Sequence, residues 1–345
     1  MNSNETNIAV VGATGAAGGT ALEILLERNH PADKITLMAS ERSAGKKIRY
    51  GGAELTVIHA TEDAFEGIDV ALFAAGGYVS RRLAHKAVDK GVFVIDKGSI
   101  FRMDPSIPLV VPEVNGDDID WHPGIVSTPN CTSTPLVMVL DALRAVAPVK
   151  AVTVATYQST TGTGVAANEE LLEQSRTVLD GGEAKPEVYP HEIAFNVLPH
   201  VDDFLDDGYT KEEQKMLRES RKILHDDELP VSATCVRVPV EVSHSESVQI
   251  EFESDVTVEE AKRVLSEYDG VIVVDDPSKN EYPMPIKATG RNEVLVGRIR
   301  KDIAHENGIA LWLSCDNLRK GAALNALQIM DEAVRRDALK PASQR

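Results

Sequence analysis

Short apolar runs alternate with stretches of helical spacing through the first part of the chain. After the first run, Ala, Leu and Ile recur at helical spacing as far as Arg28, which predicts a strand, helix, strand unit. A second helical stretch follows the third run. The apolar runs that predict strands lie at 7–11, 35–39, 70–74, 92–95 and 109–111. This alternation is typical of a Rossmann-like, doubly wound parallel sheet, which we expect over residues 1–130.

The pattern changes after residue 131. An apolar helix comes first, and then longer apolar runs, which predict a mostly antiparallel sheet with helices on one face. A polar, acidic stretch at 202–215 is expected to run along the surface into a helix that ends near Leu224. The longer runs lie at 151–157, 231–240 and 248–253. We therefore predict an α+β second domain over residues 131–317.

The last helical stretch, 319–335, carries Ala and Leu at helical spacing and is expected to pack back on the first domain. The predicted division is thus 1–130 with 318–345 for the nucleotide-binding domain, and 131–317 for the second. A length of 345 residues agrees with two domains of ordinary size.

Composition excludes several classes of protein. A formal net charge of -18 argues against a general nucleic-acid binder, which needs a basic face to displace phosphate counterions. No apolar run approaches the roughly 20 residues that cross a bilayer, and the first seven residues lack the basic and apolar regions of a signal peptide. We expect a cytoplasmic protein that contacts neither nucleic acid nor membrane.

The three cysteines, Cys131, Cys235 and Cys315, are widely spaced and form no C-x-x-C pair. Reduced thiols are therefore expected, without a disulfide framework, and we expect no metal site. Cys235 and Cys315 lie within or beside apolar strands, which suits small buried side chains.

A glycine-rich turn directly follows the first predicted strand and opens the first helix. Glycines at such a turn let the backbone approach a pyrophosphate at the helix N-terminus, although a similar turn often serves only to pack a helix on a strand. The predicted cofactor contacts in this turn are Gly12, Thr14, Gly15, Ala16, Ala17 and Gly18.

The second predicted strand ends in Ser40, Glu41, Arg42 and Ser43. NAD-specific sites usually place a carboxylate here for the ribose 2′-hydroxyl, whereas hydroxyls and a guanidinium suit a 2′-phosphate. The alternative is that Arg42 is a solvated loop cation, and Glu41 would oppose a phosphate if it pointed inward. We predict NADP as the cofactor.

Cys131 lies in a polar, turn-forming segment, 129–134, just before an apolar helix. A thiol at the positive end of a helix is favoured as thiolate and can attack an acyl carbon. Such a nucleophile needs a proton-transfer partner. His244 lies in a polar break between two predicted strands; taken alone, it would more often be a surface histidine.

With these segments in order, the chain resembles the bacterial aspartate-semialdehyde dehydrogenase family over essentially its whole length. The motifs that carry the resemblance are 12–18, 40–46, 101–104 with 110–115, 129–132, 157–159, 237–239 with 244–246, and 316–323. The fold that the family implies for the second domain is similar to the C-terminal domain of glyceraldehyde-phosphate dehydrogenase.

The resemblance implies a reaction and a set of roles. NADPH would reduce L-aspartyl 4-phosphate to L-aspartate 4-semialdehyde and phosphate through a thioester on Cys131, a step in lysine, threonine, methionine and diaminopimelate biosynthesis. Gln158 would orient the substrate and His244 would relay protons. The implied substrate contacts are Arg237 for the α-carboxylate, Glu212 for the α-amino group, and Lys215, Arg102 and Asn130 for the phosphate. Thr161, Gly162 and Asn317 would touch the cofactor.

Two segments depart from the family pattern. The run 95–100 replaces an expected Asp-Asn-Thr-Ser-Ala, and Tyr78 stands where serine is common; both lie near the expected cofactor and phosphate region. Other acyl-phosphate or acyl-CoA reductases, such as N-acetyl-glutamyl-phosphate reductase or malonyl-CoA reductase, share the thiol, histidine and glycine turn. A catalytically silent NADP-binding paralogue is a further alternative. The resemblance also implies a homodimer or a dimer of dimers, formed through the second domain.

Overall fold

The computed structural model describes residues 3–344, which form two compact units. The first contains the described residues up to Asn130 together with those from Ala322 onward. The second is Cys131–Gly321. Within residues 3–344, no helix combines the length and the apolar character needed to span a membrane.

The first unit is built on a sheet of strands β1 to β7, in the order β3-β4-β2-β1-β5-β6-β7. All neighbouring pairs are parallel except the edge pair β3 and β4. The strands are β1 (Ile8–Val11), β2 (Ile35–Ala39), β3 (Lys47–Tyr50), β4 (Ala53–His59), β5 (Val70–Phe73), β6 (Phe93–Asp96) and β7 (Ile125–Ser127). The predicted Rossmann-like sheet is confirmed, while the antiparallel edge pair was not predicted.

Helices cover both faces of this sheet because successive strand residues point to opposite sides. Ile8 and Val10 pack with α1 and with the last helix, α9, whereas Ala9 and Val11 pack with α2 on the other face. The helices are α1 (Ala16–Glu27), α2 (Gly77–Asp89), α3 (Pro112–Asn115) and α9 (Leu324–Arg335), with 3-10 turns at Ser3–Glu5, Ala32–Lys34, Glu41–Ser43, Asp63–Phe65, Gly116–Trp121 and Ala342–Gln344. The final helix therefore belongs to the first unit, as its pattern predicted.

The prediction of a strand at 109–111 was wrong. Leu109 makes only an isolated parallel bridge with Ser127, and the strand at this place in the sheet is β7. Pro108 has no backbone N–H, and Pro112 begins α3 immediately after the run, so a regular ladder cannot extend in either direction. The apolar run is buried without being a strand.

The second unit contains a sheet of strands β8 to β13, in the order β11-β12-β13-β10-β8-β9. The three central pairs are antiparallel, and the two outer pairs are parallel. The strands are β8 (Val149–Gln158), β9 (Val231–Arg237), β10 (His244–Phe252), β11 (Val271–Val273), β12 (Val294–Lys301) and β13 (Gly308–Cys315). This mixed sheet with an antiparallel centre agrees with the predicted fold class.

One face of the second sheet is buried and the other is open. Along β8, the side chains of Val152, Val154, Thr156 and Gln158 are buried, whereas the intervening ones are half-buried or exposed. Helices α4, α6 and α7 pack against this sheet. The helices of this unit are α4 (Ser133–Arg144), α5 (Val165–Leu179), α6 (Lys211–Leu224), α7 (Val258–Glu267) and α8 (Pro285–Ala288), with 3-10 turns at Thr160–Gly162 and Pro277–Lys279 and a π-helical turn at Arg319–Ala323.

Helix α6 begins at a capping box. Thr210 Oγ1 accepts a hydrogen bond from the Glu213 backbone N–H (3.3 Å), and Glu213 Oε2 accepts one from the Thr210 N–H (2.7 Å). Two N–H groups that would lack partners at the helix start are thereby satisfied. The helix ends at Leu224, as expected, because His225 takes the left-handed conformation (φ 54°). The cap fixes the first turn of the helix.

Candidate active site

The sulfur of Cys131 lies beside the imidazole of His244. Sγ and Nε2 are 3.3 Å apart although the residues are 113 positions apart in the chain. Cys131 is half-buried and precedes α4, whose N-cap is Thr132, and its thiol therefore lies near the positive end of that helix. A thiol and an imidazole at this distance can exchange a proton.

The sequence suggested that His244 lies in a polar break between two strands, and this was wrong. It is the first residue of β10 and is 1% exposed. The break ends one residue earlier, at Ser243, which takes a positive φ of 75° and turns the chain into the strand. The strand pairing continues as far as His244, which is opposite Cys315 in the ladder, and this pairing explains why the imidazole is buried.

The other ring nitrogen of His244 is held by Ser159. The backbone N–H of Ser159 donates to Nδ1 (3.0 Å), and the Ser159 hydroxyl lies 3.1 Å from the same nitrogen. That hydroxyl donates to Asn317 Oδ1 (3.2 Å). When Nδ1 accepts the backbone N–H, the ring proton is on Nε2 and faces the sulfur. In the other tautomer the Ser159 hydroxyl accepts Nδ1–H, and Nε2 can take a proton from sulfur. Ser159 lies in the family motif 157–159, but the sequence predicted no role for it.

Arg237, at the end of β9, is buried next to Gln158, at the end of β8. Arg237 Nη1 donates to the Ser159 carbonyl (2.6 Å), and Gln158 Nε2 donates to Glu212 Oε1 (3.0 Å). Within residues 3–344, neither Arg237 Nε nor Gln158 Oε1 has a hydrogen-bond partner. A buried donor and a buried acceptor without protein partners fit a polar ligand, because leaving such groups unpaired is costly.

Lys215 lies between two carboxylates. Its Nζ is 2.6 Å from Asp202 Oδ2 and 2.9 Å from Glu212 Oε2. Burial alone would lower the pKa of Lys215, but the neighbouring Glu212 and Asp202 raise it, so the amine is charged. The spacing of three between Glu212 and Lys215 thus brings both to one face of α6, as predicted.

Gly162 makes room for two of these side chains. A Cβ at position 162 would lie 3.0 Å from Arg237 Nη1 and 3.1 Å from His244 Nε2. Thr161 Oγ1 accepts a hydrogen bond from Asn317 Nδ2 (3.2 Å). The turn that carries Thr161 and Gly162 therefore lies directly against the imidazole and the guanidinium.

The remaining cysteines are buried, as their sequence context suggested. Burial raises the pKa of the Cys235 and Cys315 thiols, so neither is poised as a nucleophile. Among the described residues, no group of three or more His, Cys, Asp or Glu side chains could hold a metal ion.

In the first unit, the turn between β1 and α1 fits a pyrophosphate group. Gly12 has a φ of 93°, and a Cβ at Gly18 would lie 2.3 Å from the Gly12 carbonyl oxygen. No side chain caps α1 at Gly15, so no capping side chain competes with an anion for the N–H groups of the helix start at Ala16, Ala17 and Gly18. Thr14 lies in the same turn and is exposed.

At the end of β2, Ser40 and Arg42 are exposed, whereas the Ser43 side chain is buried. Lys46 lines a cavity of about 410 Å³ together with Thr14 and Gly15. Besides Arg42, Lys46 is thus a further cation near the glycine turn. It lies in the family motif 40–46, but the sequence predicted no role for it. Exposed cations at this end of the sheet suit a 2′-phosphate.

Arg102 and Asn130 are both buried in the first unit. Arg102 Nη2 donates to the Lys97 carbonyl (2.8 Å), within the segment that departs from the family pattern. Asp96, in the same segment, is fully buried. A Cβ at Gly98 would lie 2.9 Å from Asp96 Oδ2. Any larger residue at position 98 would collide with this carboxylate, so the local packing requires glycine there.

Family models match both units. Residues 7–122 match the model described as semialdehyde dehydrogenase, NAD binding domain. Residues 140–320 match the model described as semialdehyde dehydrogenase, dimerisation domain. The two matches together cover most of the chain.

Individual relatives agree with these models. An aspartate-semialdehyde dehydrogenase of Aquifex aeolicus is 52% identical over 332 residues, which are 95% of this chain and 98% of that protein. One from Bacillus subtilis is 49% identical, covering 94% and 96%. The crystal structure of aspartate semialdehyde dehydrogenase II complexed with ASA from Vibrio cholerae has a TM-score of 0.92 at 41% identity, covering 96% and 98%. The chain belongs to the aspartate-semialdehyde dehydrogenase family.

Proposed function

We propose that this chain reduces L-aspartyl 4-phosphate to L-aspartate 4-semialdehyde, releasing phosphate, through a thioester on Cys131. The observation that carries the proposal is the 3.3 Å contact between Cys131 Sγ and His244 Nε2. The thiolate attacks the acyl carbon, phosphate leaves, and a thioester remains on sulfur. After reduction, the hemithioacetal collapses and the carbon–sulfur bond breaks, which frees the aldehyde and restores the thiol.

His244 manages the proton. Its Nε2 accepts the proton of the attacking thiol and returns a proton to the oxygen of the hemithioacetal. Ser159 can pair with either tautomer of the ring: its hydroxyl accepts Nδ1–H when Nε2 is free to take the thiol proton, and its backbone N–H donates to Nδ1 when the proton is on Nε2. The backbone N–H groups at the start of α4 stabilise the oxyanion.

The substrate contacts begin with two buried side chains, Gln158 at the end of β8 and Arg237 at the end of β9. Arg237 pairs with the α-carboxylate, for which an arginine fork is well suited. Glu212 takes the α-amino group, and Gln158 orients the reacting acyl group through its unpartnered Oε1. Lys215, Arg102 and Asn130 bind the phosphate.

NADP is the proposed cofactor, held by the 12–18 turn, by Ser40, Arg42 and Ser43, and by Thr161, Gly162 and Asn317. NADPH supplies the hydride that reduces the thioester. The open glycine turn and the exposed Arg42 support this assignment. The reaction belongs to the synthesis of lysine, threonine, methionine and diaminopimelate, and three unbridged cysteines agree with a cytoplasmic location.

The test follows NADPH formation from aspartate semialdehyde, phosphate and NADP, with NAD in a parallel arm. The wild-type chain is expected to depend on phosphate and to prefer NADP. Cys131→Ser should abolish turnover while NADP binding persists, and Cys235→Ser, a buried thiol outside the site, should remain active. Turnover by Cys131→Ser at the wild-type rate would overturn the assigned nucleophile.

Acyl donors separate this proposal from its relatives. In the reductive direction, NADPH consumption is compared with aspartyl phosphate, N-acetyl-glutamyl phosphate and malonyl-CoA. Activity restricted to the CoA thioester would refute the phosphate-dependent reaction. Binding of NADP without activity toward any donor would identify a silent paralogue.

We also propose a homodimer formed through the open face of the second sheet, with a dimer of dimers as the higher assembly. On that face Tyr157 and Trp312 pack together with ring centroids 5.0 Å apart, and Tyr157 is 37% exposed. Exposed aromatic side chains are typical of protein interfaces. The matched dimerisation model covers this sheet.

Light scattering after size-exclusion chromatography tests the assembly. The wild-type chain should elute as a dimer or tetramer, whereas Trp312→Glu should lower the measured mass because it buries a charge in the interface. Trp121→Glu, at an exposed position of the first unit, is the control. A Trp312→Glu protein of unchanged mass would place the interface elsewhere.

A further inference from the structure

Tyr189 lies against the guanidinium of Arg237. The Arg237 Cζ is 5.8 Å from the centre of the Tyr189 ring, within the range of a cation–π contact. The Tyr189 hydroxyl donates to Thr163 Oγ1 (3.1 Å), one residue beyond the turn in which Gly162, having no side chain, leaves room for Arg237 Nη1. The tyrosine therefore joins the Arg237 side chain to the turn beside His244.

The backbone around Tyr189 is held by α5. Glu170 is buried and accepts hydrogen bonds from the backbone N–H groups of Glu187 (3.0 Å), Val188 and Tyr189 (3.4 Å). A carboxylate that accepts several N–H donors fixes the course of a loop. The ring is therefore carried on a segment with a defined position.

The same segment is tied to Arg237 at its other end. Leu198 exchanges two backbone hydrogen bonds with Arg237, at 2.9 and 2.8 Å. Gln174 Oε1 accepts from the N–H groups of Ile193 and Ala194 between these two points. The loop that carries Tyr189 and Leu198 therefore contacts both the side chain and the backbone of Arg237. Glu170 and Gln174 bind this loop to α5 at two separate places.

The donors of Arg237 are divided by these contacts. Nη1 is used by the Ser159 carbonyl at 2.6 Å, while Nε is buried without a partner within residues 3–344. An arginine that presents Nε and Nη2 side by side can take a carboxylate in a bidentate pair, provided that the plane of the guanidinium is fixed. The Tyr189 ring, in cation–π contact with the guanidinium, supplies that restraint.

We propose that Tyr189 is a positioning residue for substrate recognition, which holds the Arg237 guanidinium in the plane that receives the α-carboxylate. This inference rests on the proposed function, in which Arg237 binds that carboxylate. Tyr189 touches neither the sulfur nor the imidazole in its own contacts, so its effect falls on substrate binding. It makes α-carboxylated aldehydes the preferred class of substrate.

The test measures KM and kcat of the full-length protein for aspartate semialdehyde, with phosphate and NADP. Tyr189→Leu removes the ring and is expected to raise KM about 5- to 10-fold, the size of a partly buried cation–π contact, with kcat changed less than about 2-fold. Tyr189→Phe keeps the ring and should restore KM to near the wild-type value. The KM values for phosphate and NADP should be unchanged in both variants.

A substrate without the carboxylate separates positioning from general damage. For 3-aminopropanal, which keeps the amine and the aldehyde, Tyr189→Leu should have the same kcat/KM as the wild type. An equal loss for both aldehydes, a fall in kcat at constant KM, or no change for aspartate semialdehyde would each overturn the inference.

Arg237→Lys, assayed alongside, distinguishes the two levels of the proposal, because lysine cannot form the bidentate pair. A raised KM in Arg237→Lys with none in Tyr189→Leu removes only the role of the tyrosine. An unchanged KM in Arg237→Lys removes the carboxylate site itself, and the inference falls with it. Inactivity of Cys131→Ser tests the reaction independently of both.

Discussion

Gly321 lies directly against Cys131. A Cβ at position 321 would come within 2.9 Å of Cys131 Cβ and 3.2 Å of its Cα. The atoms in the way belong to the backbone and to the first carbon of the nucleophile, so they cannot move without displacing the sulfur. The π-helical turn that carries Gly321 therefore helps to set where the thiol lies.

Gly321→Ala should lower kcat about 10- to 100-fold, the cost of a small displacement of reacting atoms. Steady-state assays check kcat, and calorimetry checks that NADP still binds. Gly52→Ala is the matched control, because no atom lies within 4 Å of a Cβ there and no positive φ is required. A Gly321→Ala enzyme within about 2-fold of wild-type kcat would contradict this packing argument.

Ser159→Ala should lower kcat about 2- to 10-fold, the effect of one lost hydrogen bond to the ring of His244. The backbone N–H of residue 159 can still donate to an unprotonated Nδ1, so the imidazole stays in place, but the tautomer with the proton on Nδ1, which leaves Nε2 free to take the thiol proton, loses its acceptor. Ser245→Ala, which removes a hydroxyl paired with Ser314 at 2.7 Å, should leave kcat unchanged. Equal kcat values for the Ser159→Ala and wild-type enzymes would contradict the role of the hydroxyl.

Glu246 should destabilise the protein at neutral pH. It is fully buried, neither carboxyl oxygen has a hydrogen-bond partner within residues 3–344, and burial raises its pKa well above 4.5. The native state therefore keeps a proton that the unfolded state releases above about pH 4.5, and the free energy of unfolding falls by about 1.4 kcal/mol per pH unit in that window. Below it both states are protonated, and the penalty vanishes.

Glu246→Gln should accordingly be more stable than the wild type at pH 8, by a margin that shrinks toward pH 5. Urea unfolding at several pH values measures this margin, with the exposed Glu253→Gln as control. A margin that did not depend on pH would mean that Glu246 is ionised in the native protein.

The two capping boxes allow a matched comparison. Thr210→Ala and Thr257→Ala each remove a side-chain cap, from α6 and α7 respectively, and each should lower the free energy of unfolding by about 1 kcal/mol. Only α6 carries proposed substrate contacts, so only Thr210→Ala should also raise KM for aspartate semialdehyde. Urea titrations and steady-state kinetics on both variants check this, and a raised KM in Thr257→Ala would show that the effect is not local.

Local patterns were enough to predict much of the fold. The alternation of apolar runs with helical spacing predicted the Rossmann-like sheet, because strand and helix periodicity are properties of neighbouring residues. The prediction of a strand at 109–111 failed because it considered only the apolar character of the run. Prolines on both sides of the run prevent a regular ladder. The antiparallel pair β3 and β4 was missed because both strands are half-exposed and mix charged with apolar residues, so neither forms a continuous apolar run.

Residue patterns along the chain were enough to indicate which chemistry it can carry: a cysteine before an apolar helix, a glycine turn after a strand, and a single histidine that fits the family motif. The three-dimensional arrangement alone brings Cys131 and His244 to 3.3 Å, sets Ser159 against the other ring nitrogen, and places Tyr189 within cation–π distance of Arg237. These contacts join positions from separate elements, and strand register and loop attachment, not local periodicity, set the distances between them.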